Sequence, residues 1–298
     1  MRNIRSHGGS RRTAAFLVPM LAVLTLVLPA CGADAENTVV VGATTSVSDS
    51  GLLDELISAF EDQSDATVTP AVSYKVTPVI GGSGQIIEQA RRGELDVIMT
   101  HSPADEAKFV ADGEGLEPHK VMENYFIVAG PPDDPAGVAG ASTPGEAFRA
   151  IARAEAPFLS RGDNSGTHRR ELSIWKSLGI EPSKHGWYQE SAVSQGQNLL
   201  VASDKGAYTL VDSSTFITLR DRVDLSAFVT DTETPNVYTV TLVNPANHSR
   251  VNAEAARAFA TFLTSPRGQR IIGEFGREEF GQALFVPVAW SSSAAETP

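Results

Sequence analysis

From about residue 38 onward, apolar residues follow two alternating rhythms. Continuous runs at 38–43 (TVVVGA), 95–100 (LDVIMT), 125–129 (YFIVA) and 237–243 (VYTVTLV) predict buried strands. Shorter runs at 67–72, 75–80, 157–160 and 207–211 predict further strands, the first two interrupted by Pro70 and Pro78. Between them the apolar spacing is helical. Leu52, Leu53, Leu56, Ile57 and Phe60 share one face, with Asp49 or Ser50 as the expected N-cap. A helix over 85–92 turns Ile86, Ile87 and Ala90 inward and stops at Gly93. Others are expected at 103–112, 144–155, 167–178, 198–204 and 253–275, the last broken near Pro266. With no internal repeat, this alternation predicts an α/β protein of two lobes.

The first thirty residues have a different pattern. Arg2, Arg5, Arg11 and Arg12 precede an apolar run at 14–27 that is too short to span a membrane. Residues 1–30 therefore read as a signal peptide. The run ends in Leu28-Pro29-Ala30-Cys31, which resembles a bacterial lipobox, with Cys31 as the lipid-bearing new N-terminus. An unlipidated signal peptide is the alternative, and Ser10-Arg11-Arg12 leaves Sec and twin-arginine export both open. Residues 31–37 read as a tether and 291–298 as a flexible tail.

Charge narrows the choice of partner. The chain carries 36 acidic against 24 basic residues, a net −12. Losing residues 1–30 removes four arginines and no acid, leaving 20 basic residues and a net −16. Nucleic acid is excluded, because phosphate neutralisation needs clustered Lys and Arg. One cysteine excludes a disulfide framework, and the six histidines show no metal-ligand spacing, so no cofactor is expected.

Three helix starts share one chemistry. Thr44-Thr45-Ser46, Gly82-Ser83-Gly84 and Arg161-Gly162-Asp163-Asn164-Ser165-Gly166-Thr167 are rich in hydroxyls and glycine and nearly free of acids. A helix N-terminus offers unpaired N–H groups and about half a positive charge. Hydroxyls add donors without charge, and glycine admits close approach, so such ends suit anions. Each loop taken alone reads more readily as a set of good N-caps than as a site; it is the three together that point to an anion.

The segment 161–168 resembles the R-x-D-x-S-G-T motif of periplasmic phosphate-type solute-binding proteins. The chain is more similar still to the tungstate-binding (Tup-type) proteins of ABC importers. That resemblance runs in order through Thr44-Thr45-Ser46, Asp49-Ser50-Gly51-Leu52-Leu53, Ser83-Gly84-Gln85, His101-Ser102-Pro103, the run 130–137, Ser160 to His168 and Lys205-Gly206-Ala207-Tyr208. It departs at Ala43, where the family usually has threonine, and at a small insertion around Ser73-Tyr74-Lys75. The resemblance implies a type II periplasmic-binding-protein-like fold, two lobes joined by crossing strands at 125–129 and 237–243. Lobe 1 would be 38–123 plus 240–290, and lobe 2 would be 124–239. It implies oxyanion contacts from Thr45, Ser46, Ser83, Arg161, Ser165, Gly166 and Thr167, with Asp163 orienting Arg161. No ligand is assigned after residue 190, where Ser194, Gln195 and Tyr208 stay open. The implied partners are an ABC permease and ATPase, with the binding protein a monomer on the outer face of the cell membrane, lipid-anchored or periplasmic.

Phosphate near neutral pH keeps a proton and needs an acceptor. The strand end Thr100-His101-Ser102 brings no carboxylate, which favours a dianion such as tungstate, then molybdate, over phosphate. A phosphate or sulfate binder is the second reading. A secreted hydrolase using Ser165 is the third, weakened by the absence of a G-x-S-x-G elbow.

Overall fold

A computed structural model of the protein describes residues 37–62 and 74–289. The expected signal peptide, Cys31, the tether up to residue 36, the strand at 67–72 and the tail 291–298 lie outside the described residues. The helices that concern the site are α1 (Thr45–Asp49), α2 (Leu52–Glu61), α3 (Ser83–Arg91), α4 (Pro103–Ala111), α5 (Pro144–Ala154), α6 (Gly166–Ser177), α7 (Gln195–Lys205) and α8 (Ser213–Leu219), with α9 (Ala253–Thr264) and α10 (Pro266–Glu274) following. Among the described residues no helix is long and apolar enough to cross a membrane.

In the first lobe, β1 (Thr38–Thr44) pairs in parallel with β2 (Lys75–Gly81) and β3 (Val97–Thr100). Successive side chains leave opposite faces of a strand. Val39, Val41 and Ala43 therefore join Val97, Met99 and the leucine face of α2 in one core, closed by Phe259 of α9. Val40 and Ile98 face the other way, against Ile86, Ile87 and Ala90 of α3. Gly42 explains how closely α3 lies: a Cβ there would stand 2.7 Å from Ile86 Cγ2 and 2.6 Å from Leu95 Cδ1. That contact draws the N-terminus of α3 toward the end of β1.

Two long strands tie the lobes together. β4 (Gly115–Gly130, 16 residues) and β8 (Ser226–Val243, 18 residues) run antiparallel, with register shifts near Lys120 and Asn124. The late part of β8 pairs with β3, and the late part of β4 pairs with β7 (Thr209–Asp212), so each strand serves two sheet regions. The resulting order is β2-β1-β3-β8-β4-β7. Beyond β7, a bridge from Tyr208 to Phe158 leads to the parallel pair β5 (Phe158–Ser160) and β6 (Tyr188–Glu190). The second lobe's core is aromatic, with Phe148 and Trp175 rings 4.4 Å apart and Phe158 against both.

Two expectations need correction. The apolar runs at 125–129 and 237–243 are only the buried ends of β4 and β8, whose other halves carry exposed residues such as Glu117 and Lys120. Neither Asp49 nor Ser50 caps the leucine-faced helix. Gly51 does, at φ 86°, and this left-handed turn separates α1 from α2. The break expected near Pro266 is present, with Ser265 ending α9 and capping α10.

Candidate functional site

The ends of β1, β3, β5 and β7 and the starts of α1, α3, α6 and α7 meet along the seam between the lobes, and the lobes are in contact there. A Cβ on Gly82 would lie 3.3 Å from that of Ser165, and one on Gly84 3.0 Å from the carbonyl of Asn164. Gly166 sits against His101, where a Cβ would stand 2.4 Å from Nδ1 and 2.5 Å from the carbonyl oxygen. Glycine at these helix starts lets backbone meet backbone across the seam. Of the residues expected to meet the anion, Ser46, Ser83, Arg161, Ser165 and Thr167 are buried, and Thr45 is half-buried.

Arg161 is the central cation. It is 3% exposed, donates through Nη1 to Gln195 Oε1 at 2.8 Å, and pairs through Nη2 with Asp163. Asp163 also accepts from the N–H of Ser165 at 3.1 Å, tying the arginine to the α6 start. Arg161 Nε, Thr167 Oγ1 and Gln195 Nε2 are buried without any hydrogen-bond partner. Buried donors are normally paired, at a cost of about 1–3 kcal/mol when they are not. Three orphans on neighbouring elements mark a place prepared for an acceptor.

On the opposite lobe the hydroxyls of Ser83 and Ser46 accept from protein donors, and Ser46 Oγ also lies 3.2 Å from Thr44 Oγ1. Ser83 Oγ accepts from the N–H of His101 at 3.2 Å. Asn236 Nδ2 donates to Asn124 Oδ1 and to Tyr238 OH, so the tyrosine donates onward to Ser46 Oγ at 2.9 Å. Asn236 Oδ1 then takes the proton of His101 Nδ1 at 2.6 Å, and the imidazole stacks on Tyr238 at 4.8 Å. Burial pushes the His101 pKa down to about 4, which keeps the ring neutral.

Carboxylates stand closer than residue order suggests. No acid follows Thr100 in sequence, yet Glu106 of α4 reaches back to that strand end and accepts from Thr100 Oγ1 at 2.7 Å and Ser102 N–H at 2.8 Å. Asp212, fully buried at the end of β7, accepts from Asn124 Nδ2, Ser214 Oγ and both Thr215 N–H and Oγ1. Their oxygens, like those of Asp163, are already supplied with protein donors. The site keeps spare donors and occupied acceptors.

Gln195 is the main candidate residue whose role only the structure makes visible. Its signal was present: Ser194-Gln195-Gly196 is a fourth Ser/Gly helix start, with Ser194 Oγ accepting from Gln197 N–H at 3.3 Å. Tyr208, also left open, belongs to the scaffold. Its hydroxyl donates to Asp134 at 2.7 Å, and Asp134 caps the turn after the run 130–137 through the N–H groups of Val138 and Ala139. A groove of about 1090 Å³ runs along the seam beside Asp163, past Gln85, Arg91, Asp105 and Arg169. It is open and lined by paired charges, whereas the orphan donors lie in the buried part of the seam.

Beneath Arg161, Glu171 takes hydrogen bonds from Ser160 Oγ at 2.6 Å, Tyr188 OH at 2.9 Å and Trp175 Nε1 at 3.1 Å. Burial outweighs these and raises its pKa to about 7. The folded state therefore holds this proton over a range in which the unfolded chain has lost it. The stability it contributes is full below pH 4.5 and is lost as pH rises through 7. His101 acts oppositely, costing stability as pH falls from 6.5 toward 4. Glu171→Gln should thus leave the His101 slope uncovered. Relative to the parent, the variant should gain stability in urea unfolding as pH rises from 4.5 to 6.5, by up to roughly 3 kcal/mol. A parallel profile for both proteins would refute this pairing.

Two lobes sharing a pair of long strands, closed on a seam of neutral donors and one arginine, define a solute-binding protein of the periplasmic type. Known proteins agree. Residues 32–267 match the PBP superfamily domain. The tungstate-binding protein TupA of Peptoclostridium acidaminophilum is 36% identical over 288 residues, covering 92% of this chain and 97% of its own. The solved structure of the tungstate ABC transporter from Geobacter sulfurreducens superposes with a TM-score of 0.71 at 36% identity, over 80% of this chain and 99% of the other. TupA from Desulfovibrio alaskensis G20 gives 0.67 at 34% identity, over 84% and 98%. The chain belongs to the PBP superfamily and, within it, to the family of these TupA proteins.

Proposed function

We propose that this protein captures a tetrahedral oxyanion, tungstate first and molybdate second, and delivers it to the permease and ATPase of an ABC importer. The observation that carries the reading is the set of orphan donors, Arg161 Nε, Thr167 Oγ1 and Gln195 Nε2, buried in a seam whose carboxylates are already occupied. A fully deprotonated dianion supplies acceptors and needs none. Phosphate would bring a proton to a site whose acceptors are taken. Arg161 provides the full charge, Ser46, Ser83 and Thr167 provide hydroxyl donors, and the starts of α1, α3 and α6, with Thr45, Ser165 and Gly166, provide N–H groups. Asp163 holds the arginine in place.

The same reading places export in residues 1–30, a lipid anchor at Cys31, lobe 1 at 38–123 plus 240–290 and lobe 2 at 124–239. The protein then works as a monomer on the outer face of the membrane. A binding role without catalysis fits the site: Ser165 Oγ accepts from the backbone N–H of His168 at 3.3 Å, and the imidazole Nδ1 is taken up by Asn164 N–H at 3.0 Å rather than by the serine hydroxyl.

Calorimetric titration at neutral pH with tungstate, molybdate, sulfate and phosphate tests the proposal. Tight binding of tungstate with no heat from phosphate is expected. Binding of phosphate alone would overturn it in favour of the second reading.

A further inference from the structure

Asp49 has no part in the anion contacts and does not cap its own neighbouring helix, yet its carboxylate has a partner 147 positions away. Asp49 Oδ2, at the C-terminal end of α1, accepts from the backbone N–H of Gly196 at 2.9 Å, in the first turn of α7. Ser194, at the N-cap of the same helix, accepts through its hydroxyl from Gln197 N–H at 3.3 Å. α1 follows β1 in the first lobe, and α7 is packed between β5 and β7 in the second, so the bond from Gly196 to Asp49 crosses the seam.

The fit is specific. A helix N-terminus carries unpaired N–H groups and partial positive charge, and a carboxylate is their natural cap. Here the cap comes from the opposing lobe. Gly196 is buried, and a Cβ on it would stand 3.2 Å from Asp49 Oδ2, so the missing side chain leaves room for the carboxylate. By overall area Asp49 is exposed, at the rim of the seam, but its carboxylate end is withdrawn against α7 and desolvation raises its pKa. Gln195, which carries an orphan donor and holds Arg161, is the residue immediately before Gly196. A bond made at Gly196 therefore bears on the position of Gln195 as well as on the distance between the lobes.

We propose that Asp49 is a positioning residue that latches the closed protein, capping the N-terminus of α7 across the seam and slowing release of the bound oxyanion. The bond exists only when the lobes meet, so it adds to the closed state and nothing to the open one. A ligand that binds the closed state gains affinity by the amount the latch shifts that equilibrium. The inference rests on the reading of the seam as an oxyanion site.

Titration and stopped-flow release measurements on Asp49→Ala and Asp49→Asn, with whichever of tungstate, molybdate, sulfate and phosphate binds the parent, test it. Asp49→Ala should weaken binding about three- to tenfold, the usual effect of losing a capping oxygen, through faster release at a nearly unchanged association rate. Asp49→Asn, whose amide oxygen can still accept from Gly196, should recover most of the loss. Both variants should still fold, with cooperative thermal unfolding in the absence of ligand. If both variants bind more tightly, Asp49 merely repels the anion and the latch is refuted. Unchanged affinity in Asp49→Ala refutes it equally. Should no oxyanion bind the parent, the proposed function fails. The latch then stands or falls on solution scattering, where the unliganded Asp49→Ala protein must be the more open of the two.

Discussion

Arg161→Ala is expected to lose nearly all oxyanion affinity while its unliganded thermal midpoint stays close to the parent value. The guanidinium is the one full positive charge among the buried residues expected to meet the anion, and it is desolvated at 3% exposure. Truncating one partner of a buried, hydrogen-bonded charge pair costs about 2–5 kcal/mol, equivalent to roughly thirtyfold to several thousandfold in affinity. The upper end applies because Asp163, stripped of Arg161, would sit uncompensated beside the dianion. Arg161→Lys should recover only part, since an ammonium restores charge but cannot bond Gln195, Asp163 and an anion in one plane. In the open protein both Arg161 and Asp163 reach water, which is why the unliganded fold should be indifferent. Titration with tungstate and thermal unfolding without it separate the two roles. A large drop in the unliganded midpoint would make the arginine chiefly structural.

Gly166→Ala is expected to abolish tight binding by a different route. A methyl at this position meets His101 Nδ1 at 2.4 Å and the His101 carbonyl oxygen at 2.5 Å. A ring can turn away, but a backbone carbonyl cannot, so the lobes would have to stay apart. Gly166 is the first residue of α6 and has no positive φ, so alanine fits the open protein and removes a flexible glycine from a helix. Affinity should fall by at least about tenfold while the unliganded protein becomes no less stable, by up to about 1 kcal/mol more so. Unimpaired tungstate binding in this variant would mean that the functional closed state is looser than the one described.

The two variants also show where the sequence was informative. The leucine face of α2, the inward Ile86, Ile87 and Ala90 of α3 and the break at Pro266 were all legible. They depend on periodicity and on residues three or four positions apart. The hydroxyl-rich starts of α3 and α6 were visible for the same reason. β4 and β8 were only half visible, because their solvent-facing halves lack an apolar run and each is held by pairing with the buried half of the other strand, far along the chain. Gln195 could only be left open, because its Ser-Gln-Gly helix start carries little weight until Arg161 is seen to donate to it.

Carboxylates show the division most clearly. In sequence, the strand ending at Thr100 has no acid beside it, which pointed to a site rich in donors. In space, Glu106, Asp163 and Asp212 all come close, but each is already bonded by protein donors. Residue type and local spacing were enough for the donor chemistry, since caps and helix starts are built from neighbours in the chain. Which acceptors are occupied, which donors are left over, and where glycine allows two lobes to touch were settled by contacts between distant segments. Those depend on burial and chain closure over long loops, which no local pattern encodes.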